Sequence, residues 1–373
     1  MIYSQSINMN KGIIMNSKNI FMNKSVTILS AIIIFLIVLV ICVFLYFCPL
    51  FNNFPRPSGQ YSVGNITIHD DNNAYNLDIF YPSTNKTTQF IYQPYKINEL
   101  KKIKAENSYI PRFIWDCLLS NLYSYSEPHA PIATKESIYP VIIYLPGIGA
   151  DDLHNVYLEE LASHGYIVCA IEPAHDTSVT IFPNNTIVRL NGMFQKAIEN
   201  NARDAIYAYR NEAHARWNDY ILAAINTLKE LNADKESLLY QKLDLSRLGL
   251  LGHSHGGAVV TDFCQKNNMC KAGINMDGWT KTYNSNEQFD KPFLFLLSDK
   301  GEMVEMQELF KNNNRPDFKK ITVENAGHMA FNDYILIKQP IARMLGIVSA
   351  NSEKVRKQIS ENILSFFDTY LKK

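Results

Sequence analysis

The sequence predicts an α/β protein: a mostly parallel, doubly wound sheet with antiparallel N-terminal strands in front of it, preceded by one transmembrane helix. Three observations carry this expectation. From Pro140 onward, short apolar runs alternate with helical stretches, the pattern of βαβ units on a parallel sheet. Two earlier runs alternate with period two, as half-buried edge strands do. Val26 to Cys48 carries no charged residue, a stretch that covers the about 20 apolar residues a spanning helix needs.

The apolar stretch comes first along the chain. A buried core helix keeps a polar face, and this segment has none. Leu45, Tyr46 and Phe47 are bulky where a cleavage site needs small residues, so the segment reads as an uncleaved signal anchor. Lys11, Lys18 and Lys24 precede it with no acidic residue, whereas only Arg56 is charged between it and Asp70. The positive-inside rule then leaves residues 1–25 in the cytoplasm, 26–48 in the membrane, 49–60 as a linker and 61–373 as one domain on the far side.

Within that domain Asn65–His69 and Leu77–Tyr81 are the alternating strands, and Ile114–Leu122 is apolar enough for a helix. The parallel strands are the runs 141–145, 166–171, 248–251, 272–276, 293–297 and 320–323. Between and after them, Leu153–Ser163, Arg216–Leu231, Gly256–Lys266 and Ser352–Tyr370 read as helices; the second places Trp217, Ile221, Ala224, Ile225 and Leu228 on one stripe.

Lys+Arg number 36 against 36 Asp+Glu, and with neither a basic excess nor a basic run the chain offers no surface for nucleic acid. Of six cysteines, Cys42 and Cys48 belong to the apolar segment, and Cys117, Cys169, Cys264 and Cys270 contain no metal-type C-x-x-C pair. Cys264 and Cys270 either close a short loop in an oxidising compartment or remain core thiols.

The segment Leu248–Gly257, LGLLGHSHGG, holds the candidate chemistry. G-x-S-x-G is weak by itself, but here it ends an apolar run and opens a helical stretch. In that strand–turn–helix setting Ser254 is pushed out on a strained turn, and Gly252 and Gly256 remove the side chains that would collide. His253 and His255 flank the serine, yet on a sharp turn their side chains point away from its hydroxyl, which excludes them as its base. A metal reading of His-x-His lacks a third ligand at recognisable spacing. What His255 offers is its backbone N–H, half of an oxyanion hole, and Ile148 in the loop LPGIGADD offers the other half.

Serine, acid and histidine follow in that chain order on such a sheet. His328, in ENAGHMAFND, is the one histidine after the motif and is the candidate base. Asp277 and Asp299 each end a strand and compete as the acid; Lys300 beside Asp299 would make a routine surface ion pair, which leans the choice to Asp277, but spacing alone leaves it open.

These residues bring a resemblance into view. LDIFYP (77–82), PVIIYLPGIGA (140–150), LASHGYIVCAIE (161–172), LGLLGHSHGGA (248–258), CKAGINMDGW (270–279) and GHMAFNDY (327–334) resemble the plasma-type platelet-activating-factor acetylhydrolases, or lipoprotein-associated phospholipases, over roughly residues 60–335. The resemblance implies an α/β-hydrolase fold and calcium-independent cleavage of short or oxidised sn-2 acyl groups from phospholipids. It implies Ser254 as nucleophile, Asp277, just before Gly278 and Trp279, as acid, His328 as base, and Ile148 and His255 as oxyanion donors. The sequence departs from the family at His255, where vertebrate members have an aromatic residue, in 84–138, which aligns poorly, and in the anchor.

The expected reaction is a double displacement through an acyl-enzyme, with no metal or organic cofactor. Expected partners are a phospholipid or small ester substrate and, through the anchor, a membrane. Competing readings are a carboxylesterase or dienelactone-hydrolase-like enzyme on small esters, acyl transfer to an alcohol, and a catalytically silent membrane-anchored binding protein.

Overall fold

The computed structural model describes residues 27–372 except 45, 70–73, 86–87, 92–93, 107, 121, 152, 183, 279–288 and 302–303. The expected cytoplasmic segment 1–25 and the residues Val26, Asp152 and Trp279 lie outside the described residues. The chain divides into two units, Met1–Leu50 and Phe51–Lys373. In the first, helix α1 (Thr27–Phe44) has a mean hydropathy of 3.3 and is long and apolar enough to cross a membrane.

The second unit runs β1 (Ser62–His69), β2 (Tyr75–Ser83), β3 (Phe90–Ile91), α2 (Pro94–Glu106), α3 (Arg112–Leu118), β4 (Tyr123–Ser124), β5 (Ser126–Pro128), β6 (Tyr139–Leu145), α4 (Asn155–Ser163) and β7 (Ile167–Pro173). It continues with β8 (Val179–Ile181), β9 (Ile187–Arg189), α5 (Gly192–Glu199), α6 (Arg203–Ala233), β10 (Leu243–His253), α7 (His255–Lys266), β11 (Ala272–Met276), β12 (Phe293–Leu297), α8 (Val304–Asn312), β13 (Phe318–Thr322), α9 (Gln339–Met344) and α10 (Ser352–Leu371). Nine strands form one sheet in the order β13-β12-β11-β10-β6-β7-β2-β1-β5. β2 is antiparallel to both β1 and β7, while β6, β7 and β10–β13 are parallel. This is the doubly wound sheet with an antiparallel front that the sequence predicts.

Every residue of β6, β7, β11 and β12 is buried, which explains their unbroken apolar runs: a parallel strand covered on both faces has no solvent side to alternate toward. Leu248 and Leu250 of β10 face the core that α6 lines with Trp217, Ile221, Ala224, Ile225 and Leu228. Gly249 between them faces the other way, and a Cβ there would lie 2.7 Å from Leu371 and 2.8 Å from Phe367 of α10. Period two on one strand thus seats α6 and α10 on opposite faces.

Three expectations need correction. The helix read as Arg216–Leu231 begins thirteen residues earlier, at Arg203; none of residues 203–212 is buried, so that part shows no apolar stripe in the sequence. The helix read as Ile114–Leu122 is the short α3, with no buried residue. The stretch 49–60, read as a linker, is docked from Phe51 onward: Phe51 and Phe54 are 1% and 3% exposed, Asn52 donates its N–H to the Leu336 carbonyl at 2.8 Å, and Gly59 donates to Ser163 Oγ at 3.0 Å. Two isolated phenylalanines among Pro and Asn carry no periodicity, so composition alone reads as loop. Cys264 and Cys270 are joined by a disulfide, the first of the two outcomes the sequence left open. Because removing a fully buried phenylalanine leaves a cavity, Phe54→Ala should cost about 3–5 kcal/mol, read as a lower urea midpoint.

Candidate active site

In the parallel sheet the strand order reverses between β6 and β10, and the carboxyl ends of strands at such a point open a crevice. Ser254 sits there, the single residue between β10 and α7, with φ 55° and ψ −120°. Its N–H donates to the Met276 carbonyl at 2.9 Å. The turn closes only with glycine on either side: a Cβ on Gly252 would lie 2.3 Å from the Gly256 carbonyl oxygen, and one on Gly256 2.3 Å from that of Leu145.

His328 opens a short 3-10 turn after β13, and its Nε2 is 3.0 Å from Ser254 Oγ. Its Nδ1 is 2.7 Å from Asp277 Oδ2. A carboxylate only accepts, so Nδ1 carries the proton and Nε2 is left to accept from the serine hydroxyl. Asp277 follows β11 with φ 51°, and its other oxygen accepts the Ser298 N–H at 2.8 Å. Burial pushes the Asp277 carboxyl up, but the hydrogen bonds from His328 and Ser298 outweigh it and hold the group below its ordinary 3.8. The His328 side chain is 46% exposed and that of Asp277 5%, so the ring bridges a buried charge and an accessible hydroxyl.

The structure therefore brings Ser254, His328 and Asp277 into one hydrogen-bonded chain. Asp299 is not part of it: its carboxylate accepts the Asn325 N–H at 2.9 and 3.0 Å. Ile148 lies in the loop after β6, next to Gly147, where a Cβ would be 3.2 Å from Ser254 Cβ. Gly149, at φ 75°, donates to the Asp176 carbonyl at 2.6 Å, and Ala150 donates to Gly147 at 3.2 Å. His255 is the first residue of α7, where a helix leaves N–H groups without intrahelical acceptors and its dipole favours negative charge.

The side chains of His253 and His255 turn to different neighbours. His255 packs edge-on against Trp217 at 4.9 Å, and burial pushes its pKa down to about 3. His253 lies 4.8 Å from the His328 ring. Burial, with the neighbouring His328 and His154, holds it well below the ordinary imidazole range. A neutral His253 donates from Nε2 to the His328 carbonyl at 3.0 Å. This contact, like those of Ser298 and of Gly301, where a Cβ would lie 2.0 Å from Asp277 Oδ1, has no signature in sequence spacing; for His253 the signal was its place at the buried end of an apolar run.

The family model of platelet-activating factor acetylhydrolase, isoform II, matches residues 51–373. A platelet-activating factor acetylhydrolase of Cavia porcellus is 24% identical over 341 residues, 85% of this chain and 78% of that protein. One of Canis lupus familiaris is 23% identical over 307 residues, 76% and 69% of the two chains. Among solved structures, a ferulic acid esterase from Streptomyces cinnamoneus superposes with a TM-score of 0.62 at 19% identity, over 86% of this chain and 93% of that one. That likeness shows the shared α/β-hydrolase fold.

Since the folded pKa of Asp277 lies below its unfolded value, its contacts stabilise the fold above that value and lose their effect as pH falls through the folded one. Asp277→Asn should therefore lower the urea midpoint at about pH 7, and the gap from wild type should narrow as pH falls below the ordinary carboxylate range; a gap that stays constant down to the lowest pH at which the protein folds would mean the charge is not its source.

Proposed function

The chain belongs to the platelet-activating factor acetylhydrolase isoform II family, and from that premise we propose that it is a serine hydrolase cleaving short or oxidised sn-2 acyl esters of phospholipids. The observation that carries the reading is the hydrogen-bonded chain from Ser254 through His328 to Asp277, with the serine on a glycine-bounded turn at the sheet's carboxyl edge.

In the proposed reaction Ser254 Oγ attacks the ester carbonyl while His328 Nε2 takes its proton. Asp277 holds the Nδ1–H tautomer and stabilises the imidazolium. The backbone N–H groups of Ile148 and His255 receive the oxyanion, each contributing about 2.7–4 kcal/mol to the transition state. Collapse breaks the bond to the glycerol oxygen, which takes the proton from His328. Water then attacks the acyl-serine, giving its proton to His328, and the free acid leaves as Ser254 regains its proton.

In this reading α1 is an uncleaved anchor, with Lys11, Lys18 and Lys24 on the cytoplasmic side and the hydrolase unit extracytoplasmic. The Cys264–Cys270 disulfide supports an oxidising compartment for that unit. The anchor holds the enzyme beside a bilayer that contains its substrate.

With the full chain in detergent micelles, sn-2 acetyl phosphatidylcholine should be hydrolysed in preference to its long-chain counterpart. If only a simple butyrate ester turned over, the phospholipid assignment would fall while the serine chemistry stood. Ser254→Ala and His328→Ala should each remove nearly all turnover, and Asp277→Asn should lower kcat by about 10⁴. Ile148→Pro, which deletes one donor, should lower kcat by about 10²–10³; an unchanged kcat would remove Ile148 from the oxyanion site.

A further inference from the structure

Ser254, Asp277 and His328 open into a cavity of about 1030 Å³ that is also lined by Tyr207, Arg210, Lys300 and Arg343. Its two carboxylates are engaged already, Asp277 by His328 and Ser298, and Asp299 by the Asn325 N–H. Among the described residues no ion pair engages Lys300 or Arg343. Lys300 and Arg343 thus share one concave space, where low-dielectric walls concentrate their field on whatever enters.

The position of the cations indicates which part of an ester they face. Lys300 follows β12 and Arg343 lies on α9, both beside the segment that seats His328. There Gly327 donates to the Ile347 carbonyl at 2.8 Å, and Ser349 donates to that of Asn325 at 3.0 Å. In the mechanism above, His328 returns its proton to the leaving alcohol, so groups on the His328 side flank the leaving portion of the substrate. In a phospholipid the leaving portion carries the phosphate, one glycerol carbon from the sn-2 ester.

We propose that Lys300 and Arg343 form an anion subsite on the leaving-group side of Ser254 that takes the phosphodiester of the substrate. The proposal rests on the ester-hydrolase reading and deepens it by assigning the charge the site selects. Guanidinium groups suit this ligand because their planar donor fork matches two phosphate oxygens. A carboxylate at the end of an oxidised acyl chain is the other anion this chemistry accepts, but it would lie on the acyl side.

The test uses the full chain in detergent with a neutral ester, 4-nitrophenyl butyrate, as reporter. Lys300 and Arg343 are exposed, so the double variant Lys300→Gln/Arg343→Gln should retain its fold. Glycerophosphocholine should inhibit wild-type butyrate hydrolysis competitively, with an inhibition constant about ten-fold higher in the double variant and an intermediate one in Arg343→Lys. The kcat/KM ratio of acetyl phospholipid to butyrate ester should fall in parallel, through KM for the phospholipid. Inhibition by glycerol equal to that by glycerophosphocholine, or an inhibition constant unmoved in the double variant, would overturn the proposal. Glutarate as the stronger competitor would move the anion to the acyl side and overturn it as well. If the wild type hydrolysed neither ester, the ester-hydrolase reading would fail, and calorimetric titration of glycerophosphocholine into wild type and variant would still decide whether the subsite exists.

Discussion

Everything at the candidate site depends on one reversal of the chain. Between the end of β10 and the start of α7 a single residue, Ser254, must turn a strand into a helix, and it does so at φ 55° and ψ −120°, a conformation that costs about 1–3 kcal/mol for a residue with a side chain. The surrounding backbone offsets that cost. Ser254 N–H is tied to β11 through the Met276 carbonyl, and Gly256 N–H to the end of β6 through that of Pro146. Because three adjacent strands end here, the loop holding Ile148, the serine and Asp277 all issue from one short edge, and only His328 must be brought from farther along the chain.

The fully buried strands and the glycines of the turn were legible in the sequence because each records a constraint that acts locally. A strand covered on both faces must be apolar at every position, and a turn with backbone against backbone must have glycine. The choice between Asp277 and Asp299 was not local. Both end neighbouring strands, and what separates them is the direction of a carboxylate: toward His328 in one case and toward the Asn325 N–H in the other. A resemblance to a family named Asp277 where spacing did not. The first part of α6 and the docked segment at Phe51 and Phe54 were illegible for a related reason. An exposed helix has no stripe, and two anchoring rings in an irregular segment have no period.

The two histidines beside the serine illustrate how the same reversal distributes neighbouring side chains. His253 still belongs to β10 and His255 already belongs to α7, so neither shares the serine's outward direction. His255 goes under α6 against Trp217, and it contributes to the proposed chemistry only through its backbone. His253 goes under His328, with its Nε2–H on the carbonyl of that residue. Adjacency in sequence thus places them near the proposed chemistry while denying both of them the proton of Ser254.

The neutrality of His253 then matters for the proposed base. In the proposed cycle His328 becomes an imidazolium each time it takes the serine proton, and a second cation 4.8 Å away would oppose that step. Burial keeps His253 uncharged, so the ring can hold the His328 loop through one hydrogen bond without adding charge beside it. The negative charge that His328 needs is supplied from its other side by Asp277, kept ionised by the same hydrogen bonds that fix its orientation. The base is therefore held between a neutral ring that sets its position and a carboxylate that sets its charge, while Lys300 and Arg343, exposed on the wall of the cavity, are free of any part in that hydrogen-bonded chain.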